Sequence, residues 1–169
     1  DNIEMQRGDA TRLEAADNSF DLVYSNSVVE HVGDWAAMEA FAANVRRLAP
    51  RYYVQTPNKW FPIEPHHVGL FLHWLPDRFA RRLYNWLTLR GWLHRRDLSE
   101  VDRILSGIRL LSRSDLRRLF PDGTILEERL WLFPFVPKSL IVVRGIERNA
   151  FAKGLAGAAS EHAGAHQHG

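Results

Sequence analysis

DNSFDLVYSNSVVEHV, residues 17–32, sets a short apolar run against an abrupt polar stop. Phe20 to Tyr24 has the length and composition of a buried strand. It ends in Ser25-Asn26-Ser27, apolar residues resume at Val28 and Val29, and Glu30 and His31 follow. In open α/β sheets, ligands sit beyond the carboxyl ends of the strands, where short polar side chains let them approach the backbone. The stretch therefore reads as a strand that delivers a site rather than one that only fills a core.

Working outward, two more segments end in the same way. Ile3-Glu4-Met5-Gln6 alternates apolar and polar, reads as a strand and runs into the turn Gly8-Asp9-Ala10. Arg51 to Gln55 is rich in aromatic and branched residues, reads as a strand and ends at Thr56-Pro57-Asn58. Between the last two strands, Asp34 is placed to cap a helix in which Met38, Phe41, Val45 and Leu48 recur on one face, with Pro50 as its stop. Further on, Asp77 is a candidate cap for a stripe of Phe79, Leu83, Trp86, Leu87 and Leu93, interrupted by Gly91. Ser114-Asp115 starts a short helix through Phe120, and 124–131 and 139–144 read as two closing strands. The order is strand, strand, helix, strand, helical insertion, helix, strand, strand. That is an α/β fold with an antiparallel end.

Composition bounds the function classes. The 169 residues suffice for one domain, and no window approaches the length of a membrane span. There is no cysteine, so disulfides and thiolate metal sites are excluded and a reducing, cytoplasmic compartment is expected. Charge is unevenly placed. Residues 1–45 carry a net −7, whereas residues 46–118 hold fifteen bases against six acids, a net +9. The Arg residues fit the wet faces of amphipathic helices better than a dedicated anion surface, so a membrane surface is the less favoured contact. No nucleic-acid motif is present.

GDATRLEAADNSFDLVYSNSVVEHVGDW, residues 8–35, closely resembles the middle segment of class I S-adenosylmethionine-dependent methyltransferases of the small-molecule type. The resemblance extends over about residues 3 to 145. It implies a Rossmann-like methyltransferase sheet of order 3-2-1-4-5-7-6, in which 3–6 is the third strand, the opening stretch the fourth, 51–58 the fifth, and 124–131 and 139–144 the antiparallel end. The family's Gly-rich loop and ribose-binding acid have no counterpart in this sequence, so the sheet is expected to be incomplete at its amino-terminal strands. The chain is then the carboxyl-terminal portion of a longer enzyme, inactive alone. It would divide into a partial domain over 1–152, with a helical lid insertion over 59–112, and a disordered tail over 153–169.

The resemblance implies S-adenosylmethionine as cofactor. Asp9 and Ala10 would meet adenine, and Ser25, Asn26 and Val29 would line the sulfonium end. The acceptor, a small molecule, would enter above 56–58 beneath the insertion, near Asn58 and Trp60. Glu64, His66, His67 and His73, in a proline-stiffened aromatic segment, are candidates to reach it. That segment is otherwise a plug over the sheet. His31 has three readings: a general base, a metal ligand beside Glu30, or a loop histidine packed near the cofactor. Ser27 stands where the family's metal motif has its first acid, so no metal is expected. The competing function readings are a catalytically silent partner module and a binder of anionic surfaces. The oligomeric state and the acceptor are not legible.

Overall fold

The computed structural model describes residues 3–64, 69–93, 96–131 and 133–146. Strand β1 (Leu22–Asn26) leads through a 3-10 turn (Val29–His31) into helix α1 (Trp35–Leu48) and strand β2 (Arg51–Pro57). A two-stranded hairpin, β3 (Ile63–Glu64) and β4 (Gly69–Leu70), and a second 3-10 turn (Leu72–Trp74) precede three helices. These are α2 (Asp77–Leu87), α3 (Leu89–Leu93) and α4 (Leu98–Ser106). Helix α5 (Arg113–Leu119) and strands β5 (Thr124–Glu128) and β6 (Ser139–Arg144) close the fold.

The main sheet has the order β1-β2-β6-β5. β1 and β2 run parallel, and β6 is antiparallel to both of its neighbours. This is the 4-5-7-6 part of the expected order, so the Rossmann-like α/β reading and the antiparallel end both stand. Alternation along β2 assigns its faces. Tyr52, Val54 and Thr56 are buried, and the first two enter the core with Met38, Phe41 and Val45 of α1 and Leu116 and Leu119 of α5. On the other face Tyr24 and Tyr53 stack, with ring centroids 5.0 Å apart.

Local sequence explains most boundaries. The Asp34 side chain accepts from Ala37 N at 2.9 Å and starts α1. Arg46 and Arg47 complement the helix dipole at its end. The Arg47 guanidinium also donates to the Leu13 carbonyl at 2.9 Å and to Asp17 at 2.9 Å, pinning the loop that precedes β1. At the end of the inner strand β6 the Arg144 guanidinium ties its neighbours together, donating to Pro50 O at 2.9 Å and to Asp122 at 2.6 Å.

Several expectations are corrected. Residues 3–6 form no strand, and Ile3 and Met5 are exposed: alternation alone does not make a strand without a neighbour to complete its ladder. The strand expected over 124–131 stops at Glu128, where a turn bridges Leu130 to Phe133. The cap of α5 is Ser112 rather than Ser114. Its hydroxyl accepts from Asp115 N while Asp115 accepts from Ser112 N, a reciprocal box that a serine two residues later cannot make. Asp77 lies inside α2, whose N-cap is Pro76. The stripe Phe79, Leu83, Trp86, Leu87, Leu93 is exposed, not core. The insertion is held instead by Leu72, Ala80, Tyr84 and Val101, a small cluster of its own. The expected tail over 153–169 lies outside the described residues.

Candidate functional site

β1 is not the buried strand expected from 20–24: it is an outer strand among the described residues, with Phe20, Leu22 and Tyr24 exposed, and its polar stop starts at Ser25. Ser25 is buried, with its hydroxyl oxygen unpaired by any hydrogen bond, while Asn26 beside it is exposed. Ser27 takes a left-handed backbone conformation, φ +54°. Its N–H still donates to the Gln55 carbonyl at 3.0 Å, carrying the parallel ladder one residue past the strand. The chain then tightens into the 3-10 turn, which buries Val29 and Glu30 and leaves His31 exposed.

Glu30 is the anchor of this turn. Its carboxylate is 1% exposed and accepts from the hydroxyl of Thr56, which is fully buried, at 2.9 Å. Its carbonyl accepts from Arg109 N at 2.9 Å. The bond to Thr56 ties the rim of β1 to the end of β2, and the bond to Arg109 ties it to the segment leaving the helical insertion. His31 Nδ1 lies 3.4 Å from the Gly107 carbonyl, a long contact on the same seam.

Asp9 stands on an exposed turn, where its carboxylate accepts from the Thr11 hydroxyl at 2.7 Å and from Thr11 N at 2.9 Å. The Thr11 hydroxyl and N–H, with Arg12 adding to them, hold it below the ordinary aspartate range, so it stays an acceptor. The buried Asn44 of α1 donates to the Ala10 carbonyl at 3.0 Å and fixes this turn against the domain.

Two separate clefts are candidates to hold a ligand. One, of about 300 Å³, lies between the insertion and the domain and is lined by Lys59, Leu72, His73, Ala80, Arg109 and Asp115 among others. Its walls mix leucine, isoleucine and alanine side chains with His73, the bases Lys59 and Arg109 and the acid Asp115. Burial would raise Asp115, but the Ser112 hydroxyl and N–H, with Lys59 and Arg109, outweigh it and hold the carboxyl down. The other, of about 430 Å³, is an open groove over the sheet lined by Asn26, Tyr53, Gln55, Leu126 and Lys138. Asp9 lines neither cleft.

The expected acceptor residues divide. His73 lines the first cleft. Asn58 and Trp60 line a separate groove with Ser112 and Pro137. The Asn58 amide is also spent within the protein, donating to Pro137 O at 2.8 Å and accepting from Trp60 N at 3.1 Å. His66 and His67 lie outside the described residues, as does the side chain of Glu64. Lys59, Arg109 and Asp115 did not stand out in the sequence, because each sits in a different local context and only the tertiary fold gathers them. Among the described residues no cluster could hold a metal ion, and no helix is long and apolar enough to cross a membrane.

Residues 1–51 match the methyltransferase domain family. A search of the curated proteins found no match. Among solved structures, the PH0226 protein from Pyrococcus horikoshii OT3 is similar at a TM-score of 0.50 and 16% identity, over 86% of this chain and 60% of that one. A Rhodobacter sphaeroides protein described as a Zn-dependent alcohol dehydrogenase reaches a TM-score of 0.47 at 12% identity, over 82% and 65%. A SAM-dependent methyltransferase from Methanosarcina mazei reaches 0.42 at 12% identity, over 80% and 63%. The chain thus spans between 60% and 65% of the length of these structures.

Proposed function

We propose that this chain, whose first 51 residues match the methyltransferase domain family, is part of a longer class I S-adenosylmethionine-dependent enzyme that transfers a methyl group to a small-molecule acceptor. The observation that carries the proposal is the rim after β1. A buried, hydrogen-bond-deficient Ser25 hydroxyl and an exposed Asn26 stand directly before a turn that Glu30 locks to β2. That is a built edge with an orphaned polar atom, which a ligand rich in hydroxyl and amine groups would satisfy.

The residues fit the cofactor in part. Asp9, held ionised, suits an exocyclic amine, Ala10 offers a flat neighbour, and Ser25 and Asn26 fit its sulfonium side, whereas Val29, which the resemblance also placed there, is fully buried in the core with Met38 and Phe41 and is closed to a ligand. Nothing in this sequence supplies the Gly-rich loop or the ribose-binding acid, so this chain alone is expected to bind weakly and to be inactive. When bound, S-adenosylmethionine supplies an electrophilic methyl group. The protein's task is then chiefly to hold an acceptor atom in line. The cleft of Lys59, His73 and Arg109 is where we place the acceptor, with an apolar body against Leu72 and Ala80 and an anionic group toward the two bases. His31 would take the acceptor's proton at Nε2, with Nδ1 turned to the Gly107 carbonyl. The absence of cysteine fits a cytoplasmic site of action.

The test is calorimetric titration with S-adenosylhomocysteine. It uses this chain and the same chain lengthened by its upstream reading frame, where a Gly-rich strand–turn–helix and an acid about 20 residues later are expected. The lengthened chain should bind, and Asp9→Ala and Asn26→Ala should weaken it about tenfold or more, the worth of one to two lost charge-assisted hydrogen bonds. Binding indifferent to both substitutions would sink the assignment.

A further inference from the structure

We propose that the outer face of α2 and α3 docks on an anionic lipid bilayer. This rests on the exposed face of the insertion and not on the methyl-transfer reading.

Helix α2 has two apolar faces, and only one is used. Ala80 and Tyr84 turn inward and pack with Leu72 and Val101. About a quarter to a third of a turn away, Phe79, Leu83 and Trp86 point outward, with Trp86 72% exposed. Helix α3 continues the same character: Leu89, Trp92 and Leu93 are exposed, Trp92 at 73%. Leu98, opening α4, adds a further exposed apolar side chain. Single exposed apolar residues are ordinary, but two tryptophans, a phenylalanine and several leucines on two successive helices are not.

Charge decides what covers them. Residues 71–96 contain six arginines and one acid, a net +5. On the wheel of α2, Arg78 and Arg82 are the next positions beyond the exposed apolar arc, and both are exposed. The Arg78 guanidinium lies over the Phe79 ring, 4.8 Å from its centroid, which holds the charge beside the apolar face. Arg81, on the side nearer the body, is instead paired with Asp102 at 2.6 Å. Apolar and aromatic residues flanked by arginine are what a helix lying in a headgroup layer presents, with tryptophan at the boundary. A second copy of the chain is the poorer occupant, because a twofold contact would set this basic surface against itself. The Ala80 side of the same helix lines the cleft beside Lys59 and His73, so docking would bring the cleft close to the bilayer surface.

Flotation of the full chain with vesicles tests this, comparing phosphatidylcholine alone with phosphatidylcholine plus phosphatidylglycerol. The chain should float with the anionic vesicles, do so poorly with the neutral ones, and be released as salt rises from about 0.1 to about 0.5 M. Arg78→Gln with Arg82→Gln should weaken binding about thirtyfold. Trp86→Ser with Trp92→Ser should abolish it with the circular dichroism unchanged, since all four side chains are exposed. Lipids brominated near the headgroup should quench the wild-type tryptophan emission, which keeps the proposal testable if a variant misfolds. Failure to float with anionic vesicles overturns the proposal. So does flotation that both variant pairs leave intact, and so does a self-associating or RNA-binding chain with no affinity for vesicles.

Discussion

Replacing Thr56 by Val isolates the bond on which the rim depends. The two side chains have nearly the same shape, so no cavity forms. What goes is the hydroxyl that donates to Glu30 at 2.9 Å in a site where both residues are buried. A buried carboxylate deprived of such a donor costs about 2 kcal/mol. For a domain of this size that lowers Tm by about 4–8 °C. Urea unfolding of wild type, Thr56→Val, Glu30→Gln and the double variant closes a thermodynamic cycle. The coupling should be about 1 kcal/mol or more, with the slope against urea unchanged. The loss should also be local. The His31 N–H, which donates to the Val28 carbonyl at 2.9 Å inside the 3-10 turn, should exchange faster in Thr56→Val, while the amides of β6 keep their relative order. A cost below about 0.5 kcal/mol with negligible coupling would refute the claim that this bond fixes the turn.

Three further outcomes follow from the same coordinates. In Gly91→Ala the new Cβ would lie 2.6 Å from Asn85 Cα and 2.9 Å from the Tyr84 carbonyl. The α2–α3 junction should lose about 1–3 kcal/mol, read as faster amide exchange confined to the insertion. Asp122 is raised by burial, but its bonds from Arg144 and Tyr52 outweigh this and hold its folded pKa below the ordinary value. Its contribution is therefore complete above about pH 4 and lost as pH falls through the folded value. Asp122→Asn should therefore lower stability at neutral pH, converge with wild type below the folded value, and so flatten the acid limb of a stability–pH curve. Asn44→Ala releases the 3.0 Å bond to the Ala10 carbonyl, and trypsin should cut more readily at the exposed Arg12, seen by mass spectrometry of early fragments.

How much of this was legible in the sequence depended on whether a signal was local. The α1 helix was readable because its cap and its apolar face are both written within fifteen residues, Asp34 to Leu48. The order of the four strands was readable only through family resemblance, since nothing local says that β6 inserts between β2 and β5. Residues 3–6 failed for the complementary reason. Their alternation is real, yet a strand is a property of a pair, and Ile3 and Met5 find no ladder among the described residues. The stripe on α2 misled because periodicity records that a face is apolar and not what covers it. Ala80 and Tyr84, a small residue and a polar aromatic, occupy the buried positions that Phe79 and Trp86 seemed better suited to fill.

The site shows the same limit in chemical form. Asp9, Ser25 and Asn26 could be picked out because they end strand-like segments, and strand ends are where backbone and short side chains are offered to a ligand. Lys59, Arg109 and Asp115 could not, because they follow a strand, follow a helix and lie in the first turn of a helix respectively, and each has an ordinary local reason to be there. Glu30 is the instructive middle case. In sequence it figured only as the neighbour of His31 in a metal-ligand reading, whereas its burial against Thr56 makes it a strut. A reaction governed by alignment needs struts more than it needs acids or bases. Under the proposed methyl transfer, its sequence signature would be the scaffold of a cofactor site, and the acceptor would be selected by a cleft whose walls come from four separate stretches of chain. It follows that substitutions at Lys59 or Arg109 should change which acceptors are taken and leave the cofactor's affinity alone, whereas loosening Glu30 should disturb both.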